Sequence, residues 1–326
     1  MKRFKEIVWG RIYLWIFRPF YTLENTSLFW HLVNHGAVRH WKQYGTKEPS
    51  GVTKRVCTEL EDAGIAITSL DELYGDSEQT LATLRAWKDT LPNKPHRFKP
   101  FITDYMDIMP VITLANPLAA LVLDDRTLAI AGTYLGMSPK LQEFSLGEIR
   151  VLPEGTPKIS SMRWHRDPHD RRLLKMFIYL TDVALENGPF SYIRYSSRGG
   201  TYANLFPQKP PAGFYPPAGE IEKRVNPADI QVCTGPAGTV IFADTAGLHG
   251  GGYVLKDRRL MSTAGFLPMK SFTMRFPHYA GEPSALSPLQ REALLGDEHL
   301  FSREVFKTVK RTFLGKESFG DHGTYL

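Results

Sequence analysis

Cysteine is nearly absent: Cys57 and Cys233 are the two in 326 residues. Two thiols make no disulfide framework and supply no cysteine-built metal site, which fits a reducing compartment. Long apolar runs are also missing. The run over residues 7–17 is interrupted by Arg11 and closed by Arg18-Pro19, too short to span a bilayer, and no small-residue cleavage site follows. It reads as a buried or interfacial helix of a cytoplasmic protein. Internal repeats and low-complexity tails are lacking too. The basic charge comes with no nucleic-acid-binding motif, so a nucleic-acid partner is not expected.

That charge is unevenly placed. Residues 1–50 hold eight Lys/Arg against three acids, which is +5 of the net +6. Two readings stay open. One is a solvated basic face on helices packed against the main domain. The other is peripheral contact of residues 1–50 with an anionic membrane surface.

The bulk composition, 42% hydrophobic and 23% charged, is that of an ordinary globular chain. Residues 1–52 read as a basic, aromatic-rich helical segment. In it Ser27 caps a helix over Leu28, Trp30, Leu32, Val33 and Trp41 that ends near Gly45. A short helix around Val56 and Leu60 stops at Gly64, and 65–67 is a strand. Ser69 to Glu72 has capping-box spacing, and Leu81, Leu84, Trp87 and Leu91 recur at helical spacing. Asn116-Pro117 opens a helix that runs towards Gly136. After Pro139 the texture changes to short strands over 141–152, 173–183, 190–195, 238–243 and 259–267, separated by Gly/Pro turns. Ser287-Pro288 returns the chain to helix through Leu289, Ala293 and Leu294, then Val305, Val309 and Phe313. The pattern predicts a mainly β barrel or sandwich with flanking helices, an α+β chain. Residues 53–280 form its main domain and 281–326 a helical tail on the same domain.

The chemistry concentrates in Trp164-His165-Arg166-Asp167-Pro168-His169-Asp170. Residues one apart on a strand project the same way, so His165 and Asp167 can reach one metal ion. His249, in Gly247-Leu248-His249-Gly250-Gly251, is the natural third ligand. Two His and one carboxylate form the facial triad of non-haem Fe(II) oxygenases, with positions left for a chelating co-substrate and O2. Nine and ten residues later stand Arg258 and Arg259, at the start of an apolar strand. A guanidinium fork binds a carboxylate bidentately, and strand alternation allows one of the two to face inward.

With these residues in place the chain resembles the phytanoyl-CoA dioxygenase family of Fe(II)/2-oxoglutarate oxygenases. The resemblance rests on Trp164-His165-Arg166-Asp167 with its following His169, on Asp182 to Pro189 ending at Ser196, and on Gly238 to Phe242 followed by His249-Gly250-Gly251-Gly252 and Arg258-Arg259. It covers residues 141–267. It implies a double-stranded β-helix (a jelly-roll, cupin-like core) with His165, Asp167 and His249 holding iron. Arg259, with Arg258 in reserve, would hold 2-oxoglutarate. The implied reaction is oxidative decarboxylation of 2-oxoglutarate to succinate, coupled to hydrogen abstraction from a small or lipid-like substrate. The carboxylate at Asp167, which related halogenases replace with a small residue, favours hydroxylation over halogenation. The turn at Ile193 to Ser197 departs from the family's Pro-Gly-Ser-His.

Alternatives remain at this stage. One is a cupin-like metal isomerase or epimerase using the triad without a keto acid. Another is a non-catalytic jelly-roll that binds a membrane or partner through its basic N-terminus. The insertion over 204–218 is either a substrate lid or a packed surface loop, and the segment over 92–109 either a substrate entrance or plain surface. His169 and Asp170 are expected at the rim. Lys175, Phe177 and Tyr179 share a strand face that lines the pocket or the core. His31, His35 and His40 are expected at the surface or in packing.

Overall fold

The computed structural model describes residues 26–96, 101–107, 109–153, 155–208, 215–271 and 277–296. The expectations for residues 1–25, for the middle of the 204–218 insertion and for Val305, Val309 and Phe313 lie outside the described residues.

The expected first helix is two. Helix α1 (Ser27–Val33) and α2 (His35–Tyr44) are split at Asn34. The Asn34 side chain turns back to the Trp30 carbonyl (2.9 Å) and accepts from the Lys270 amide (3.0 Å). A short amide bonding its own backbone competes with continuation of a helix. Helix α3 (Gly51–Ala63) ends at Gly64 in the left-handed region (φ 79°). A Cβ there would lie 2.4 Å from the Tyr192 hydroxyl, so the position needs glycine for space as well as for φ. Strand β1 (Ile65–Ser69) follows, then α4 (Leu70–Tyr74), capped by Ser69 on the Glu72 amide, and α5 (Ser77–Asp89). The 92–109 segment contributes two short strands, β2 (Lys94–Pro95) and β3 (Ile102–Asp104), and β4 (Val111–Ile112) follows it.

The helix opened by Asn116-Pro117 also divides, into α6 (Pro117–Val122) and α7 (Asp125–Leu135). Asn116 caps the first and Asp124, accepting from the Arg126 amide, caps the second. A side chain able to cap starts a new helix where the apolar period alone would have continued the old one. Then come β5 (Lys140–Ile149), β6 (Leu174–Tyr179), β7 (Phe190–Ile193), α8 (Glu220–Arg224), β8 (Ile230–Cys233), β9 (Thr239–Ala243), β10 (His249–Gly251), β11 (Arg259–Leu267), β12 (His278–Tyr279) and α9 (Pro288–Leu295).

Two antiparallel sheets face each other. The larger runs β1-β9-β6-β11-β5-β3-β2 and the smaller β10-β7-β8, to which His165 adds an antiparallel bridge with His249. Along the chain the strands alternate between sheets: β5 in the larger, the His165 segment in the smaller, β6 in the larger, β7 and β8 in the smaller, β9 in the larger, β10 in the smaller, β11 in the larger. That winding is the double-stranded β-helix.

Strand alternation assigns the two faces of the larger sheet. On β6, Leu174, Met176 and Ile178 join the core shared with the helices, while Phe177 and Tyr179 face the smaller sheet. On β9, Val240 and Phe242 go to the helix side and Ile241 and Ala243 between the sheets. Trp30 of α1 and Leu289, Ala293 and Leu294 of α9 sit in the helix-side core, and the Lys140 ammonium donates to the Leu294 carbonyl at 3.1 Å. Lys175 is the charged exception on the inner face of β6. The space between the sheets is where a polar site can stand.

Candidate metal centre

His165 and His249 are paired across the smaller sheet, amide to carbonyl in both directions at 2.9 and 3.0 Å. The register sets their rings side by side, with centroids 4.1 Å apart. Asp167, two residues on, donates its amide to the Thr245 carbonyl at 2.8 Å and therefore projects on the same side. One ligand atom from each of the three residues lies within 4.8 Å of the others.

Both rings are oriented by backbone. His165 Nδ1 lies 2.9 Å from the Arg163 carbonyl and His249 Nδ1 lies 3.0 Å from the Gly247 carbonyl. A carbonyl only accepts, so each Nδ1 carries the proton and each Nε2 presents its lone pair to the centre. Burial, helped by the neighbouring His165, pulls His249 down to about 3, so that ring is neutral at ordinary pH. Asp167 Oδ1 is 3.8 Å from His165 Nε2, and Oδ2 is 3.8 Å from His249 Nε2. Oδ2 also accepts from Thr245 Oγ1 (2.6 Å) and pairs with Lys175 (3.0 Å). Burial alone would raise this carboxyl. Lys175 and the imidazoles outweigh it and hold Asp167 well below the usual range, as an anion ready to ligate. Lys175 bridges on to Glu143 at 2.9 Å.

The triad lines a cavity of about 280 Å3 together with Arg259, Phe177, Phe190, Met261 and Thr263. The two arginines have opposite fates, as alternation requires. Arg258 is two-thirds exposed and lies 3.3 Å from Glu148. Arg259 is buried and faces the cavity, with Tyr179 beside it. Its Nε and Nη1 are shielded from solvent and have no hydrogen-bond partner. Gly251 lies beside it: a Cβ there would stand in ordinary contact, 3.7 Å from Arg259 Nη2.

The neighbouring residues sort themselves clearly. Arg166, on the opposite face from its flanking ligands, is buried and donates to five backbone carbonyls: Ser196 (2.6 Å), Ala246 (2.8 Å), Phe206 (2.9 Å), Tyr202 (3.0 Å) and Leu205 (3.0 Å). Three of those belong to the arm that begins the 204–218 insertion. Gln208, further along that arm, donates to the Asp167 and Asp170 carbonyls. Tyr215 stacks on the His165 ring at 5.7 Å, with the Arg163 guanidinium 4.9 Å from the tyrosine ring. The described ends of the insertion, at Gln208 and Tyr215, therefore lie against the ligand segment. Of the 92–109 segment, Phe101, Ile102, Asp104 and Met106 line the cavity.

His169 lines the cavity, as expected of a rim residue. Asp170 does not sit at the rim. It turns into the helix side, where it accepts from Trp30 Nε1 (2.9 Å), from the Arg172 amide (3.2 Å) and from Ser271 Oγ. His31 and His35 are exposed, and His40 bonds Ser138 Oγ at 2.8 Å. Thr245, Arg166 and Gln208 were not singled out as chemical groups in the sequence. Arg166 left one signal, a cation locked by alternation onto the face away from two ligands. Lys175 left another, as the main charge in an apolar run.

No protein-family model matches the chain, and no curated protein matches it. Among solved structures it is similar to the epimerase SnoN in complex with Fe3+, alpha ketoglutarate and nogalamycin RO. The identity is 16% and the TM-score 0.46, over 68% of this chain and 85% of that one. It is similar to HygX from Streptomyces hygroscopicus with nickel, 2-oxoglutarate and hygromycin B bound, with 18% identity and a TM-score of 0.45 over 66% and 87%. It is also similar to EctD from S. alaskensis with 2-oxoglutarate and 5-hydroxyectoine, with 18% identity and a TM-score of 0.46 over 69% and 79%.

Proposed function

We propose that the chain is an Fe(II)- and 2-oxoglutarate-dependent dioxygenase. It would oxidise a C–H bond of a small or lipid-like organic substrate, most simply by hydroxylation, while 2-oxoglutarate is decarboxylated to succinate. The observation that carries this is the buried Arg259, whose two unpartnered N–H donors share a cavity with the His165–Asp167–His249 cluster.

The residues fit the groups they would hold. Two neutral imidazoles and one carboxylate are the donor set of a non-haem iron site with open positions. Two solvent-shielded guanidinium donors left without acceptors are costly, about 1–3 kcal/mol each, unless a ligand completes them. A carboxylate can take one edge of the guanidinium, either Nε with Nη2 or Nη1 with Nη2, and so supplies an acceptor to one of these two donors. Gly251, beside Arg259, is two residues from His249 on β10. That is about 7 Å of extended strand, comparable with a five-carbon dicarboxylate reaching from a metal to a cation. Iron bound there would activate O2 and the keto acid together. The protein's part is to hold and shield. The backbone carbonyls fix both imidazoles, Thr245 and Lys175 fix Asp167, and the Tyr202–Gln208 arm and Tyr215 lie against the ligand segment. An intact Asp167 fills the position that halide chemistry would need, so hydroxylation is preferred to halogenation.

Arg259 also favours this reading over a triad-only isomerase or epimerase, which has no use for a second anion site. Within the class, the phytanoyl-CoA dioxygenase pattern is our assignment, with residues 53–280 as the catalytic domain. The test is succinate formation from 2-oxoglutarate with added Fe(II). The wild-type chain is expected to turn over and His165→Ala to be inactive. Equal turnover by the two proteins would end the proposal. Turnover of substrate unaffected by Arg259→Met, without any keto acid, would favour the isomerase instead.

A further inference from the structure

The α1 surface is unlike the rest of the molecule. Leu28 and Leu32, one turn apart on the same face, are 74% and 64% exposed. Cations surround them. The Arg198 and Arg171 guanidiniums both reach Ser27 Oγ, at 3.1 and 3.2 Å, one residue from Leu28. His31, His35 and Arg39 are exposed on the same pair of helices. Between Asn25 and Lys47 the sequence has no acid and three Lys/Arg. The segment that leads into α1, residues 1–25, carries five Lys/Arg against two acids and is rich in Trp, Phe and Tyr.

We propose that this face docks on an anionic membrane surface, with Leu28 and Leu32 seated at the headgroup–acyl boundary and Arg171, Arg198 and Arg39 on lipid phosphates. Exposed leucines ringed by cations match a surface that is negatively charged outside and apolar just beneath. No helix among the described residues is long and apolar enough to cross a bilayer, so the contact is peripheral. A second copy of this chain would have to bring its own cations against these, which charge repulsion opposes. The buried side of the same helix is tied to the segment that follows the candidate ligands. Trp30, between the two leucines, bonds Asp170, three residues after Asp167. The binding itself does not depend on the proposed reaction.

The test is co-sedimentation of the full chain with phosphatidylcholine vesicles, with and without phosphatidylglycerol. Binding is expected with phosphatidylglycerol alone. It should fall at least about tenfold when ionic strength rises from about 0.1 M to about 1 M, which shortens the Debye length from about 10 to about 3 Å. Leu28→Glu/Leu32→Glu should bind at least about tenfold more weakly, with an unchanged thermal midpoint and unchanged Mn(II) binding. Arg39→Glu gives a second variant, expected to weaken binding with both leucines intact. Failure of the wild-type chain to sediment with anionic vesicles would overturn the proposal. So would equal binding by the leucine variant, a dimer held by these leucines in vesicle-free solution, or full competition by inorganic phosphate. Failure of the enzymatic reading would instead show as absent succinate with vesicle binding intact.

Discussion

Two buried arginines, Arg166 and Arg259, stand near one candidate metal centre and are treated in opposite ways. Arg166 is saturated: five carbonyls surround it, and it ties the Tyr202–Phe206 arm to the strand that carries His165 and Asp167. Arg259 is left short: two of its donors have no acceptor, and it faces the cavity. Burial pulls both guanidiniums below their ordinary range, Arg166 to about 10. One cation is satisfied by the fold and supports structure. The other, unsatisfied by the fold, fits a site that waits for an anion. Buried polar groups are expected to be satisfied, so the arginine left with two open donors is the one we propose as the anion site.

Substitutions break that comparison in a definite order. Arg166→Met strands several buried carbonyls, each costing about 1–3 kcal/mol, and is expected to destabilise the fold by at least about 3 kcal/mol. Thermal unfolding should show a midpoint lower by about 6 °C or more. Arg259→Met removes a guanidinium with few bonds to lose. Its stability should change by less than about 1 kcal/mol, while 2-oxoglutarate affinity falls about a hundredfold, the worth of two charge-assisted hydrogen bonds. Arg259→Lys should not restore it, because an ammonium lacks the fork. The exposed neighbour sharpens the point: Arg258→Ala should leave keto-acid binding unchanged and stability within about 0.5 kcal/mol.

Lys175→Met tests the other side of the cavity. Without that ammonium, burial raises the Asp167 carboxyl, so a proton competes with the metal at higher pH. Mn(II) binding, followed by titration calorimetry between pH 5 and pH 8, should be lost at higher pH in the variant than in the wild type. Unchanged pH dependence would remove Lys175 from the centre.

A separate effect concerns Asp170. Burial pushes its carboxyl up to about 7. Between about 4 and about 7 the folded state holds a proton that the unfolded state has released, so this group's contribution falls as pH rises through that window. Asp170→Asn should flatten that stretch of the stability profile measured by chemical denaturation. A variant that steepens it would contradict the assignment.

The candidate metal cluster was legible because its chemistry is in the side chains and the His165–Asp167 spacing is that of a strand. His165 and Asp167 follow from residue type plus alternation, His249 is the later histidine that completes the set, and alternation lets one of Arg258 and Arg259 face inward, with Arg259 taken over Arg258 on the family resemblance. Strand β11 matched its expected bounds because its apolar run is long and begins at an arginine. The divisions at Asn34 and Asp124 did not show, because a capping side chain overrides an apolar period that continues on both sides. Strands β8 and β10 are four and three residues long, too short for a pattern. Arg166's partners were invisible in principle. They are backbone carbonyls, which every residue has, and tertiary folding alone brings five of them together.

The central claim is most directly tested by titrating 2-oxoglutarate into the Mn(II)-loaded and metal-free chain by calorimetry. One keto acid per chain should bind the loaded protein tightly, with binding lost both without metal and in Arg259→Met. Equal binding with and without metal, or no binding at all, would contradict a site built from His165, Asp167, His249 and Arg259.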